Sequence, residues 1–149
     1  MWKDLTKELA IDLKSLSKKF TSAFQASDKS IDTSSSDAQA KLTEMFRELR
    51  NSQDNQEIDI NLGKHCSLGY FQKANTSSDD FNLFKQQKSS FVLNEELRLR
   101  DCANAVFHSS KKDFSIDGDG KHWLMYITDR NQLVIMDIQK VCDVIIANT

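Results

Sequence analysis

The feature that most constrains this chain is a pair of largely apolar segments near the C-terminus, His122 to Thr128 and Gln132 to Ile138. Both are rich in β-branched and aromatic residues, and the polar stretch 129–131 separates them, which is typical of a β-hairpin. Successive side chains of a strand point to opposite faces, and here both faces are apolar. Burial contributes roughly 1.5–3 kcal/mol for each large apolar side chain, so both faces require cover.

Alternation assigns the side chains of the first strand to two faces. Trp123, Met125 and Ile127 share one face, and Leu124 and Tyr126 share the other. On the second strand, Leu133 and Ile135 oppose a set that consists of Val134, Met136 and Ile138. Neither face carries the polar residues of a solvent-exposed surface, so the rest of the chain must fold around the hairpin.

The segment after the hairpin can cover one of its faces. Apolar residues recur there at spacings of three and four, the stripe of an amphipathic helix, and they are Ile138, Val141, Cys142, Ile145 and Ile146. Asp137 stands directly before this stripe, where its carboxylate can cap the first turn. One helix covers one face only, so the second face requires another helix or another subunit.

The N-terminal part of the chain predicts two helices. The first spans residues 1–26, and its apolar stripe consists of Trp2, Leu5, Leu9, Leu13, Leu16, Phe20 and Phe24. The stripe favours packing against the hairpin, and the alternative is a face that binds a partner or a membrane surface. After a polar connection over 27–36, Ser36 and Gln39 fit a capping box for a second helix that ends near Asn51.

Residues 57–120 predict shorter elements. Ile58, Ile60 and Leu62 alternate with polar residues as in a half-buried strand, and residues 70–71 indicate a second short strand. Phe114 and Ile116 indicate a third strand, and the following Asp-Gly-Asp-Gly sequence predicts a turn into the hairpin.

Residues 94–107 allow two interpretations. Asn94 followed by Glu95 and Glu96 favours a helix that begins there, because the acids suit the first turn of a helix. The alternative is a strand through Leu93, Leu97 and Leu99. With either interpretation, the 149 residues predict a single α+β domain, with a helical part at 1–52 and an α+β core at 57–149. Its mostly antiparallel sheet contains the C-terminal hairpin at its centre, packed by the N-terminal helices and by a C-terminal helix.

Composition limits the classes of function. The formal net charge is −2, which gives no basic surplus for binding nucleic acid. Three cysteines, an odd number, favour a reducing compartment over a disulfide framework, so a cytoplasmic location is expected. The longest apolar runs are too short to span a bilayer.

Candidate metal and nucleophile sites lack the spacing that would specify them. The Asp-Gly-Asp-Gly turn at 117–120 has the first two oxygens of a calcium loop, but Lys121 stands where the third is required. Paired zinc-ligand spacings are absent among the candidate ligands His65, Cys66, Cys102, His108 and His122. Nothing local specifies a Cys102–His122 nucleophilic pair. No metal or cofactor is therefore expected.

One pattern resembles a family of enzymes. The order of elements near the C-terminus resembles the core of the PD-(D/E)XK nucleases over about a third of the chain. In this order, Asp119 precedes a strand, a turn and a second strand, which is followed by Asp137, Gln139 and Lys140, and Glu95 lies upstream. The resemblance implies a magnesium-dependent nuclease whose acids and lysine gather around the metal. This chain departs from the family where one residue should separate the acid from the lysine, because Gln139 takes that position and Lys140 follows it.

The sequence predicts, first, a small soluble non-enzymatic protein-binding module such as an adaptor, an inhibitor or an immunity-type protein. A protein partner is expected, with a second copy of the chain as one candidate, and nucleic acid is not. The predicted partner-binding residues are Trp2, Leu5, Leu9, Leu13, Leu16 and Phe20. The alternatives are the nuclease, and a membrane-peripheral or secreted effector that uses the N-terminal helix.

Overall fold

The computed structural model describes residues 2–26, 31–58, 62–63, 68–72, 84, 95–116 and 119–149. The described helices are α1 (Trp2–Gln25), α2 (Ile31–Asp54), α3 (Leu99–Phe107) and α4 (Ile138–Ala147). The described strands are β1 (Gly69–Gln72), β2 (Glu95–Leu97), β3 (Ser109–Ile116), β4 (His122–Thr128) and β5 (Leu133–Asp137).

The five strands form one sheet in the order β2-β1-β5-β4-β3. Each of the four pairings is antiparallel, and the β4–β5 hairpin lies inside the sheet with a neighbouring strand on each side. The α+β class and the C-terminal hairpin predicted from the sequence are confirmed.

Both faces of the hairpin are buried, each in its own cluster. Tyr126 and Met136 are 1% and 0% exposed and join a large core with residues of all four helices. Met125 and Ile135 point to the other face, where Phe84 packs against them. The predicted need for cover on both sides is therefore met within one chain.

The β4–β5 turn uses side-chain chemistry in place of glycine. Asn131 adopts a left-handed backbone with φ of 57°, which asparagine tolerates better than most residues. The Thr128 Oγ1 atom accepts hydrogen bonds from the backbone N–H groups of Arg130 and Gln132. These bonds satisfy backbone donors at the turn and set the register in which Trp123 lies opposite Asp137.

The predicted cap of α4 is confirmed. The Asp137 Oδ1 atom accepts hydrogen bonds from the backbone N–H of Gln139 at 3.2 Å and of Lys140 at 3.4 Å. Two N–H groups that lack partners within the helix are satisfied in this way, and the carboxylate also suits the positive end of the helix dipole. The apolar stripe of α4 then lies in the large core.

The start of α2 differs from the prediction. The helix begins at Ile31, so residues 31–36 are helical and Ser36 is not its cap. Serine and threonine are only moderately unfavourable inside a helix, and extending a formed helix costs little. A Ser-rich stretch can therefore continue the helix, while residues 27–30 lie outside the described part.

Two predictions in the middle of the chain are corrected. Glu95 and Glu96 belong to strand β2, which pairs with β1, and the helix begins only at Leu99. Pairing with a neighbouring strand outweighs the local preference for a helix start, because tertiary context overrides weak propensities. Leu62 lies in a helical turn instead of the predicted strand, and residues 59–61 lie outside the described part. The strands predicted at residues 70–71 and 114–116 are confirmed as parts of β1 and β3.

Candidate ligand-binding site

A cleft of about 730 Å³ lies between α2 and the strands β3 and β4, on the face of the sheet that the helices cover. This volume is within the range of pockets that hold small molecules. Leu13 of α1 and Ile138 of α4 also reach the cleft, so three helices contribute to its walls.

The register of β3 and β4 decides which side chains form the floor. Lys112 pairs with Tyr126, and Phe114 pairs with Leu124. Directly paired residues point to the same face of an antiparallel sheet, so all four side chains point toward the helices. Lys111, next along β3, points to the opposite face and does not line the cleft.

Helix α2 forms the opposite wall. Ala38 and Leu42 are buried and contribute apolar surface, whereas Ala40, Glu44 and Arg47 are exposed toward the mouth. At 100° per residue, the exposed set lies about 120–180° around α2 from the buried set, so the cleft wall runs from the buried to the exposed side of the helix. The cleft is therefore apolar at depth and polar at its opening.

The Tyr126 hydroxyl group is the notable polar group of the floor. It is fully buried and has no hydrogen-bond partner, in a side chain that is itself 1% exposed. Burial raises the pKa of Tyr126 to about 12, and the neighbouring Gln39 side chain opposes the rise without forming a hydrogen bond of good geometry. The hydroxyl group thus keeps its proton at neutral pH and can donate a hydrogen bond to an acceptor. A buried polar group without a partner costs about 1–3 kcal/mol, so the protein retains a destabilising group here.

His122 lies at one end of the cleft, where a residue of α1 forms a hydrogen bond with its ring. Its Nδ1 atom and the Ser17 Oγ atom form a hydrogen bond of 2.9 Å, and both residues are buried. The rings of Phe20 and Phe114 lie 4.8 and 6.3 Å from the imidazole, centroid to centroid. Burial lowers the pKa of His122 to about 4, so the imidazole is neutral at physiological pH.

The charged residues that line the cleft differ in their partners. The Glu44 Oε2 atom lies 3.7 Å from the Lys41 Nζ atom on the same helix. The Asp113 Oδ1 atom accepts a hydrogen bond from the backbone N–H of Phe114. Within the described part of the chain, Arg47 and Lys112 form neither an ion pair nor a hydrogen bond. The basic groups are therefore available at the mouth, and the acidic groups are engaged.

The acidic residues of the predicted nuclease site lie in different elements of the fold. Asp137, Gln139 and Lys140 do lie together, but the Asp137 carboxylate accepts hydrogen bonds from the backbone N–H groups of the other two and so caps α4. Glu95 in β2 lies two strands from Asp137 in β5, which is roughly 10 Å across the sheet. Glu95 aligns with Phe71, and Phe71 aligns with Val134, three residues before Asp137, which adds roughly 10 Å along the strands. Asp119 lies in an exposed turn. No group of three His, Cys, Asp or Glu side chains among the described residues could hold a metal ion.

The residues predicted to bind a partner through α1 mostly belong to the core. Trp2, Leu9, Leu13 and Phe20 are buried, Leu16 is half-buried, and Leu5 is exposed. In this state only Leu5 and part of Leu16 could contact a partner, so the proposed α1 surface needs correction. The four buried residues instead fit the other interpretation of α1, a helix whose stripe packs into the core of the protein.

Among the described cysteine and histidine candidates, His122 lines the cleft, whereas Cys102 and His108 do not. Burial raises the pKa of the Cys102 thiol far above its ordinary value, which keeps it protonated and a poor nucleophile. The predictions for His65 and Cys66 concern residues outside the described part, as does half of the Asp-Gly-Asp-Gly turn.

Sequence reasoning did not identify the cleft. The alternation of the hairpin places Tyr126 on an apolar face that needs cover, which does not distinguish it from an ordinary core residue. The alternation of Lys112, Phe114 and Ile116 on one face of β3 was the available signal. It could not show that α2 would leave this face partly open.

Among the described residues, none of the helices combines the length and apolar character needed to cross a bilayer. Comparison of the chain with family models, with curated proteins and with solved structures found no match.

Proposed function

We propose that this chain is a non-catalytic binding protein that holds a small, largely apolar molecule in the cleft between α2 and β3–β4. The observation that carries the proposal is the Tyr126 hydroxyl group, a buried donor without a hydrogen-bond partner in a residue that lines the cleft. A ligand with a hydrogen-bond acceptor would satisfy this donor, and the apolar floor would supply most of the contact.

The chemistry of the neighbouring groups supports binding over catalysis. Tyr126 has a raised pKa and His122 a lowered one, both because of burial, so neither is poised to exchange a proton near neutral pH. Ser17 bonds to His122, as a nucleophile bonds to its base, but its side chain is buried in the core. Ser17 is also not among the residues that line the cleft, whereas Tyr126 is.

The expected protein partner, including a second copy of the chain, stays a prediction. Leu5, Ile11 and Phe24 are 44%, 49% and 40% exposed, but at 100° per residue they point in three directions about 100–140° apart around α1. They do not form one apolar stripe that would suit a docking helix face. The cleft is therefore the better supported site.

The remaining expectations also stay predictions. We expect a cytoplasmic protein that does not bind nucleic acid, since the formal charge is −2 and the described cysteines Cys102 and Cys142 are free thiols. Incubation with DNA and RNA in the presence of Mg²⁺ or Mn²⁺ tests the nuclease alternative. Flotation with anionic liposomes tests the membrane-peripheral alternative.

A neutral fluorescent probe tests the cleft directly. N-phenyl-1-naphthylamine is apolar and gains fluorescence when it leaves water, and we expect saturable binding to the full chain. Ala40→Trp should abolish it, because Ala40 is exposed on the cleft wall and an indole there fills the opening. Ala147→Trp, an exposed alanine at the end of α4, is the matched control and should bind as the wild type does. Absence of saturable binding, or equal binding by both variants, would refute the proposal.

Tyr126→Phe tests the hydroxyl group. Decanamide carries a carbonyl acceptor and should displace the probe from the wild type. Its affinity should fall about fivefold in the variant, as expected for one hydrogen bond of about 1 kcal/mol. Probe affinity should change little, because the probe has no carbonyl acceptor.

A further inference from the structure

We infer that the ligand of this cleft carries an anionic head group, a carboxylate on an apolar body being the simplest form. The inference rests on the proposed function and adds the charge of the molecule that is bound. It begins from the two basic residues at the mouth, Arg47 on α2 and Lys112 on β3, which lie on opposite walls.

The position of Lys112 links the mouth to the buried donor. Lys112 pairs directly with Tyr126, so the two side chains leave neighbouring strands on the same face, with Cβ atoms about 4.5–5.5 Å apart. A head group that accepts a hydrogen bond from the Tyr126 hydroxyl group would therefore lie beside the stem of Lys112. The ammonium group at the end of that flexible stem can close over the head group.

Arg47 supplies the second charge from the helix. Its guanidinium presents paired N–H donors that match the two oxygens of a carboxylate. Arg47 has no ion-pair or hydrogen-bond partner within the described part of the chain, so binding a ligand would break no existing interaction.

The two acids that line the cleft do not cancel this preference. Glu44 already has Lys41 as a neighbour at 3.7 Å. Asp113 pairs with Met125, so its side chain leaves β3 on the face away from the floor, and it accepts the backbone N–H of Phe114. Of the charged residues that line the cleft, Lys112 and Arg47 are then the two without a partner in the described part of the chain, and both are cations.

Matched competitors test the charge. Decanoate and decanamide have the same chain and differ in the charge of the head group, and both displace N-phenyl-1-naphthylamine if they occupy the cleft. For the wild type at low salt, we expect decanoate to bind at least tenfold more tightly than decanamide. This ratio should fall as salt is added, because the mouth is open to solvent and screened.

Charge-neutral variants locate the preference. Arg47→Gln and Lys112→Gln should each reduce the decanoate-to-decanamide affinity ratio several-fold, and the double variant should bring it close to one. Lys111→Gln is the matched control, since Lys111 is the adjacent residue on β3 and points to the other face. It should keep the wild-type ratio. All these positions are exposed, so unchanged melting curves should accompany the changes in affinity.

Failure of the inference can be distinguished from failure of the proposed function. If the probe binds and decanamide displaces it, but decanoate is no better, the cleft holds a neutral ligand and the inference is wrong. The same holds if the double variant keeps the wild-type ratio. If the probe binds but neither competitor displaces it, the inference is wrong. If the probe itself shows no saturable binding, the proposed function fails as well.

Discussion

Lowering the pH should destabilise this protein through His122 at the end of the cleft. The imidazole is buried between α1 and the sheet, with Ser17 as hydrogen-bond partner and Phe20 and Phe114 as ring neighbours. Burial is the cause of its lowered pKa, about 4 against an ordinary value of 6.5. The unfolded chain binds a proton at this residue below about pH 6.5, whereas the folded chain does so only near pH 4, so acid favours unfolding.

The magnitude follows from the two pKa values. Between about pH 7.5 and pH 5 the unfolding free energy should fall by about 2 kcal/mol on account of His122 alone. The full difference of 2.5 pH units between the two pKa values corresponds to about 3 kcal/mol, and it is reached once the folded chain is also protonated, below about pH 4. At and above neutral pH this residue contributes almost no pH dependence.

Urea denaturation followed by circular dichroism measures this contribution by difference. His122→Asn removes the titrating ring and keeps an amide that can bond to Ser17. The variant should be less stable than the wild type at pH 7.5 because the larger ring is lost from its packing, and the gap should narrow by about 2 kcal/mol at pH 5. His108→Asn, at an exposed histidine, controls for the loss of one histidine and should follow the wild type. Parallel stability curves for His122→Asn and the wild type would refute the burial argument.

Three other changes have defined outcomes. Asp137→Ala should cost about 1 kcal/mol and lower Tm by about 2–4 °C, equally with and without Mg²⁺, because the carboxylate caps α4; a loss seen only with the metal would favour the nuclease alternative. Leu133→Ala should cost about 2–5 kcal/mol in urea denaturation, because Leu133 is fully buried in the cluster around Phe84. Gly120→Ala should cost about 1 kcal/mol by the same assay, since Gly120 has φ of +79°, and a neutral effect would show that the turn relaxes.

Local patterns were sufficient where an element carries its own signal. The hairpin has two β-rich segments around a polar break, and α4 has a capping residue followed by a helical stripe, so both were predicted with their faces and with Asp137 as the cap. The boundaries of α2 and the strand at Glu95 were not predictable in this way. Each depends on a weak local preference that contacts elsewhere in the chain can reverse.

The candidate site depended on the tertiary structure at every step. The α1 stripe identified helix residues that meet the core, but it could not separate Leu13, buried on the cleft wall, from Leu5, exposed to solvent. Tyr126 carries no signal of a missing partner, because a hydrogen bond depends on what another element places nearby.

By itself the sequence determined that a doubly apolar hairpin lies at the centre of an α+β fold, because side-chain alternation and helical spacing are local properties of the chain. Only the tertiary structure decided that α2 stands apart from β3 and β4. That separation leaves a cleft beneath Arg47 and Lys112, and it arises from how the helices pack on the sheet, which no single segment encodes.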